Sequence, residues 1–388
     1  MIEFKKGVKA MLIEVPDYLS ISQNFARELS LASQGKTTSV PFIKNILPEY
    51  PLVQSNQIFQ TFVIGGTYGV MVVVKLNEDK KFAILKQKTF TPLPKFATKD
   101  DFLAFIEANL DPQTAAIGIN FAYNLIPVVG EMGELDGIMN QGDTKGHAFQ
   151  GLQQEQVGKT ITAYLKETTN RDIVTTVAND SVCLITSGLE KDTDRENLIA
   201  TIAGTGYNIA IFLDNNTVVN LQASDFTGFT QTSTGKVVDS ESKNTGEQLY
   251  NKEVAAGDLF KHYNVLIPLL HLKTPPLQLS EELSWLAQKG IGIESQVARE
   301  LLERSASLIA AQLAGIYIFK GRPLGLTCIT QGSLFLKGSD YISNIQSQLE
   351  TLGVSRNAFE FKKIKNSDVL GVIKLITGIN TSLMKQSS

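Results

Sequence analysis

Histidine and cysteine are scarce in this chain, with 3 His and 2 Cys among 388 residues. That is too few for a zinc cluster. Cys183 and Cys328 both lie in apolar stretches, the setting of buried thiols in a reducing compartment. An excess of charge of one sign is missing too. The 36 Lys and Arg nearly balance the 39 Asp and Glu, for a formal net charge of −3. Without a basic surplus, nucleic acid is a poor partner, because phosphate-backbone binding needs a clustered cationic face. The uncharged run from Gln57 to Val74 holds a Gly-Gly pair and several polar residues. It reads as two strands around a turn and not as a membrane span. The opening MIEFKKGVKAMLIEVPDY scatters its charges and lacks the apolar core of a signal peptide. These absences point to a cytoplasmic protein with neither a membrane nor a nucleic-acid partner.

What is present is an ordinary folded composition, 43% hydrophobic and 19% charged, which excludes wholesale disorder. The length is too great for one small core and suggests two domains or lobes. Helical periodicity is expected at 17–34, 99–109, 153–168, 292–318 and 367–380. Pro41, Pro48 and Pro51 keep 35–57 extended. Strands are expected at IFQTFVI, GVMVVVKL and KFAILKQK, at 114–122, at 172–178, in a second cluster (LIATIAG, YNIAIFLD, TVVNLQ) and at 324–330. The stretch from Gly130 to Gly151 reads as a glycine-rich loop region.

Two segments share one shape. IGGTYGVMVVV and AGTGYNIAIFL each place a small-residue turn with Thr between apolar strands, which suggests a doubled fold. Tight turns of this kind expose successive N–H groups and let an anion approach closely. Gly65-Gly66-Thr67 and Gly204-Thr205-Gly206 both qualify, and neither has the spacing of a Walker loop. Asp180 follows an apolar strand and opens a helix, where it or Asn179 could equally be a helix cap. Thr144-Lys145-Gly146 could be a solvated turn or a substrate contact.

The order of the short motifs is IGGT at 64–67, IGINFAYN at 117–124, TKG at 144–146, VANDSV at 177–182, IAGTGYNIAIF at 202–212, NTGEQLYNK at 244–252 and TQGS at 330–333. In order and spacing this resembles the hexokinase family, from about Val40 to about Gly378. The resemblance implies an α/β fold of two ribonuclease-H-like lobes, the actin-like ATPase architecture, with a sugar/ATP cleft between them. It implies an N-terminal region at 1–178 and a C-terminal region at 179–388. The small lobe would lie mostly in 56–178, with 1–55 packing on the large lobe and the last helix a candidate to return to the small one. It also implies roles. Asp180 would be the base that activates a sugar hydroxyl, with Lys145 orienting the sugar. Thr144, Lys145, Asn179, Asp180, Asn208, Gln222 and Asn251 would contact sugar. Gly65, Gly66, Thr67, Gly204, Thr205, Gly206, Gly332 and Ser333 would hold the nucleotide. The partners implied are a hexose, glucose or a relative, and ATP. Magnesium would be carried on the ATP phosphates, with no metal site built wholly from protein.

The sequence also departs from the family. Val63 stands at an Asp that helps hold magnesium through water, Tyr68 at an Asn, and Val70 at an Arg. Ala122 replaces a sugar-contacting Ser, Gln222 and Asn251 replace sugar-binding Glu residues, and Gln331 replaces an Asp. A hydrogen bond to a charged acceptor contributes about 1.5–3 kcal/mol against about 0.5–1.5 for a neutral one. The two amides would therefore weaken binding of the family's usual sugar and favour another. A second implication is a catalytically weak relative that binds sugar or nucleotide as a sensor.

Overall fold

A computed structural model gives the positions of residues 11–66, 68–140, 146–378 and the backbone of 382–383. The chain begins with helix α1 (Tyr18–Ser33), whose first turn is held by Asp17 accepting from the Ser20 N–H. Strand β1 (Ile43–Ile46) follows, then β2 (Ile58–Ile64), β3 (Gly69–Leu76) and β4 (Lys81–Phe90). Helix α2 (Lys99–Ala108) opens with a reciprocal cap between Thr98 and Asp101. Next come β5 (Thr114–Phe121), β6 (Leu125–Val129), β7 (Leu135–Met139), α3 (Val157–Thr169), β8 (Val174–Ala178) and α4 (Asp180–Ser187). The second cluster is β9 (Leu198–Ala203), β10 (Tyr207–Phe212) and β11 (Thr217–Asn220). Helices α5 (Ser233–Ser240), α6 (Leu249–Val254), α7 (Ala256–Leu269), α8 (Ser280–Lys289) and α9 (Ile293–Phe319) follow. The remainder is β12 (Leu326–Gln331), α10 (Ser333–Lys337), α11 (Tyr341–Thr351), β13 (Phe359–Lys362), α12 (Ser367–Thr377) and β14 (Ser382–Leu383).

The strands form two six-stranded sheets and one hairpin. The orders are β14-β4-β3-β2-β5-β8 and β1-β11-β10-β9-β12-β13. Each contains the same five-strand pattern: third, second, first, fourth, fifth in chain order. In the first sheet β2–β3 and β3–β4 are antiparallel, while β2–β5 and β5–β8 are parallel. In the second, β10–β11 is antiparallel and β12–β13 parallel. The repeated strand–turn–strand shape in the sequence is therefore a repeated sheet.

Two compact units result. One comprises Met1–Phe42, Thr201–Ile209 and Leu221–Lys362; the other comprises Ile43–Ala200, Ala210–Asn220 and Lys363–Ser388. The first is organised around α9, whose buried residues go nearly all the way round, as expected of a helix sunk in a core. In the second, alternate residues of β2 and β5 point to opposite faces. Phe62, Ile64, Ile117, Ile119 and Phe121 join an aromatic core with Phe96, Phe102 and Phe149. The other face is covered by α12: a side chain on Gly118 would collide with Val372 and Ile376. Helix α12 also packs in parallel on α4, with Gly371 pressed against the Cys183 carbonyl and Lys374 donating to the Ser187 carbonyl at 2.9 Å.

Some sequence expectations needed correction. The loop region from Gly130 to Gly151 contains a strand, β7, paired with β6 through Leu125↔Met139 and its neighbours; LDGIM is too short and mixed to show a period. Helix α3 starts at Val157, later than 153, because Gln154 is left-handed at φ 64. The last helix stops at Thr377, before a left-handed Gly378. Cys183 and Cys328 are free and buried; burial pushes the Cys328 thiol up to about 12, so it is inert.

Candidate functional site

In the unit that contains α4, the strands β2, β5 and β8 end in line, with Val63 opposite Asn120 and Asn120 opposite Ala178. Asn179 and Asp180 follow directly. Ligands of open α/β sheets gather outside such carboxyl ends. Asn179, not Asp180, is the cap of α4. Its Oδ1 accepts from the Ser181 N–H (3.1 Å), the Ser181 hydroxyl (2.7 Å) and Asn220 Nδ2 (3.2 Å). Its Nδ2 donates to the Tyr123 carbonyl at 3.2 Å. Asn179 is thus buried and committed to the fold, while Asp180 is half-buried in the first turn of α4. Its Oδ1 accepts from the Ser181 N–H at 2.9 Å.

The first glycine turn, between β2 and β3, is closed by Gly65 N–H donating to the Tyr68 carbonyl at 3.2 Å. Two ring side chains hold it from behind. The Tyr123 hydroxyl donates to the Gly65 carbonyl at 2.9 Å, and His147 Nε2 lies 3.0 Å from the Gly66 carbonyl. His147 Nδ1 accepts from the Phe96 N–H at 3.1 Å, so the proton sits on Nε2 and donates to Gly66. Burial holds this imidazole below its ordinary pKa, and it stacks on Phe149. Sequence reasoning missed both holders. The available signal was a histidine one residue past Gly146, in a chain with three. Thr67, Thr144 and Lys145 lie outside the described residues.

The other unit contains the second glycine turn. Gly204 N–H donates to the Gly206 carbonyl at 2.9 Å, and Ala256 N–H donates to the Gly204 carbonyl at 2.8 Å. The Thr205 carbonyl abuts the start of α7, 2.6 Å from where a Cβ on Gly257 would stand. Thr205 and Gly206 are exposed, and a glycine turn of this kind can present backbone N–H groups to an approaching anion. Asn251 braces the turn: its Oδ1 accepts from the Tyr207 N–H at 2.9 Å, and its Nδ2 lies 3.4 Å from Asp258 Oδ2. Asn208 Oδ1 accepts from the Ile209 N–H at 2.8 Å and the Ala223 N–H at 3.2 Å, which brings Asn208 beside buried, left-handed Gln222. Gln312 of α9 fixes both pieces, accepting from the Tyr207 hydroxyl at 2.7 Å and donating to the Ala223 carbonyl at 3.1 Å.

Gly332 and Ser333 meet this turn. Gly332 Cα lies 3.5 Å, and Ser333 N 3.6 Å, from where a Cβ on Gly204 would stand. Gly332 has φ 114 and ψ 164, a region open only to glycine. A Cβ there would sit 2.2 Å from the Ala203 carbonyl oxygen. Thr205 and Ser333 line a pocket of about 420 Å³ together with Gly257, Phe260, Leu279 and the Lys337–Glu281 pair, whose charged groups lie 3.0 Å apart. That volume and mixed lining suit a small organic ligand. Gly257, Phe260, Leu279 and Lys337 were not singled out in the sequence, because helix residues far apart in the chain carry no joint signature.

Gly332→Ala is expected to destabilise the protein by about 1–3 kcal/mol, the cost of holding a side chain in this backbone region. Chemical denaturation measures it, and Gly353→Ala serves as a left-handed control with open space around it.

No protein-family model and no curated protein matches this chain. Solved structures do. A hexokinase from Schistosoma mansoni complexed with glucose aligns over 93% of this chain and 95% of its own, with TM-score 0.71 and 17% identity. A second hexokinase aligns over the same shares with TM-score 0.73 and 16% identity. A ROK hexokinase from Thermus thermophilus covers 83% of this chain and 97% of its own, with TM-score 0.51 and 15% identity. The fold is therefore that of hexokinases and ROK sugar kinases, the actin-like ATPase architecture.

Proposed function

We propose that this protein transfers the γ-phosphoryl group of ATP to the 6-hydroxyl of a hexose, glucose or a related sugar, with Asp180 as the general base. The observation that carries the reading is the division of labour between Asn179 and Asp180. The cap of α4 is supplied by Asn179. That leaves a half-buried carboxylate at a sheet's carboxyl end, with no structural duty that an amide could not fulfil.

In this reading one unit supplies the base, Asn179 and the Gly65-Gly66-Thr67 turn. The other supplies the Thr205 and Gly206 donors for phosphate, and the pocket beside Thr205 and Ser333 for the rest of the nucleotide. Lys145 and Thr144, with Asn208, Gln222 and Asn251, are proposed for the sugar. Asp180 accepts the hydroxyl proton as the sugar oxygen attacks phosphorus, and backbone N–H groups hold the phosphoryl oxygens without needing to reorient. Magnesium bound with ATP offsets charge on the β- and γ-phosphates. Gln222 and Asn251, as amides, can donate as well as accept, so the sugar can differ from the one a Glu pair selects.

A second reading, a sugar or nucleotide sensor, is favoured by Val63 and by Asn251, whose carboxamide is engaged in bracing the second turn. One experiment divides them. The purified protein is incubated with magnesium-ATP and a panel of hexoses and amino-hexoses, and ADP release is followed. Sugar-dependent release above the ATPase background supports the kinase. Sugar or nucleotide binding by calorimetry without release supports the sensor. Neither binding nor release overturns both.

A further inference from the structure

The charged residues that line the pocket beside Thr205, among those described, are Glu281 and Lys337. The kinase reading gives neither a role. They stand on two helices that both start at the second glycine turn. Ser333 opens α10 against Gly204, and Lys337 is one helical turn further on the same face. Ser280 opens α8: its hydroxyl donates to the Ala256 carbonyl at 2.6 Å and accepts from the Phe260 N–H at 3.1 Å. Ala256 in turn donates to the Gly204 carbonyl. Glu281 follows Ser280 directly, and its Oε1 accepts from Lys337 Nζ at 3.0 Å. The ion pair therefore bridges the two helices one step beyond the turn.

Glu281 is not needed to start α8. That task falls to Glu282, whose Oε2 accepts from the Gln278 N–H at 2.6 Å and the Leu279 N–H at 2.9 Å. Glu281 Oε2 makes no hydrogen bond among the described residues, which leaves it free to accept from a ligand. The pair is exposed, at 58% for Lys337 and 64% for Glu281. Such a pair adds little to stability, and by itself it calls for no ligand. The independent observation is Ser284. It lines the same pocket, one helical turn beyond Glu281. It is 6% exposed, and its hydroxyl makes no hydrogen bond among the described residues. A helical serine can satisfy its hydroxyl on a carbonyl three or four residues back, as Ser30 does on Ala26 at 2.9 Å. Ser284 does not. A buried hydroxyl left unpaired in a pocket calls for a polar group on whatever fills it.

We propose that this pocket is a ribonucleoside site: Glu281, held by Lys337, accepts from the 2′- and 3′-hydroxyls of the nucleotide's ribose, and the Ser284 hydroxyl bonds a polar edge of its base. The inference rests on the kinase reading, which puts the phosphates at the Thr205 turn. The order of groups along α8 and α10 then matches the order of parts along a nucleotide. Phosphate lies at the turn, ribose one step on at the ion pair, and base beyond it at Ser284. Phe260, Leu279 and Leu334 supply apolar surface. A carboxylate only accepts, so Glu281 repels phosphate and suits a diol. Acidic side chains read the ribose 2′-hydroxyl in other nucleotide-binding folds for the same reason. Lys337 is the positioning residue, since it occupies one carboxylate oxygen and so directs the other.

The test is titration calorimetry with ADP and with 2′-deoxy-ADP, accompanied by a thermal melt of each variant. Wild type is expected to bind ADP about tenfold more tightly than 2′-deoxy-ADP, because a hydrogen bond to a charged acceptor is lost. Glu281→Ala should bring that ratio close to one without lowering the melting temperature. Lys337→Met should narrow the ratio, and Lys337→Arg should keep it. Ser284→Ala should weaken both nucleotides about threefold, preserve the ratio and melt no lower than wild type. Equal binding of the two nucleotides by wild type overturns this inference and leaves the nucleotide reading of the pocket intact. So does an unchanged ratio in Glu281→Ala, or an unchanged affinity in Ser284→Ala. A wild type that binds neither nucleotide overturns that reading as well.

Discussion

Asp180→Asn is expected to lower the rate of sugar phosphorylation by about 10²–10⁴-fold, the usual contribution of a positioned general base. Nucleotide affinity should stay within about twofold, because binding through N–H donors does not involve this carboxylate. Melting temperature should not change. The reason is local and geometric. The α4 cap is Asn179, and the bond that Asp180 Oδ1 accepts from the Ser181 N–H at 2.9 Å is one an amide oxygen also accepts. Shape and that bond survive, while the ability to take a proton at neutral pH does not. The measurements are steady-state ADP release across a sugar series and a thermal melt. Undiminished turnover in the variant would remove Asp180 from the mechanism. Asn179→Ala provides the contrast: loss of a cap costs about 0.5–2 kcal/mol, and here three acceptor contacts disappear with it.

Arg304→Met is expected to destabilise the protein by about 3–5 kcal/mol, because one partner of a buried pair is removed and the other stays buried. Arg304 Nη2 lies 3.4 Å from Glu253 Oε2, with both side chains 1% exposed. The same Nη2 lies 2.9 Å from His262 Nδ1, and His262 Nε2 lies 2.8 Å from the Lys252 carbonyl. The imidazole therefore carries its proton on Nε2 and accepts through Nδ1. Burial, reinforced by the Arg304 charge, holds His262 at about 3. Glu253 also accepts from the Thr232 N–H at 2.8 Å, so the cluster ties α5, α6, α7 and α9 together.

The deficit of Arg304→Met should depend on pH, and its sign follows from linkage. Burial raises the Glu253 carboxyl above its ordinary 4.5, and the Arg304 charge opposes that shift. Without the arginine the folded-state pKa rises further. A raised carboxyl binds more protons folded than unfolded, so its contribution falls as pH rises above 4.5. His262, freed from the neighbouring cation, would bind a proton more readily in the folded state, which acts in the same direction. The variant should therefore lie closest to wild type near pH 4.5 and fall furthest behind at pH 7 and above. Chemical denaturation across that range measures it. Glu253→Gln combined with Arg304→Met should cost less than Arg304→Met alone, since no uncompensated charge remains. A constant deficit at all pH values would contradict the account.

The legible part of this protein was its punctuation. Gly65, Gly204 and Gly332 mark places where the chain must turn tightly, and short-range sterics put that information in the residue itself. The apolar strands, the Asn179-Asp180 step at the end of β8 and the doubled strand–turn–strand shape could be read for the same reason. The sheet pairing that makes the two clusters repeats of one pattern could only be suspected. Strand β7 went unread because five mixed residues show no clear period. The holders of the turns were not legible at all. His147, Tyr123, Asn251 and Ala256 sit far along the chain from the carbonyls and N–H groups they fix.

Local sequence by itself determined where backbone donors could be exposed and which carboxylate would open α4, because these depend on φ, on helix ends and on strand periodicity within a few residues. Only the tertiary structure decided that Asn179 would be the cap and leave Asp180 with its carboxylate to spare. Tertiary packing alone brought Gly332 against Gly204, and set Asp368 from the end of the chain beside Tyr68 near its start. Contacts between residues hundreds of positions apart are chosen by packing and burial, which no single window of sequence contains.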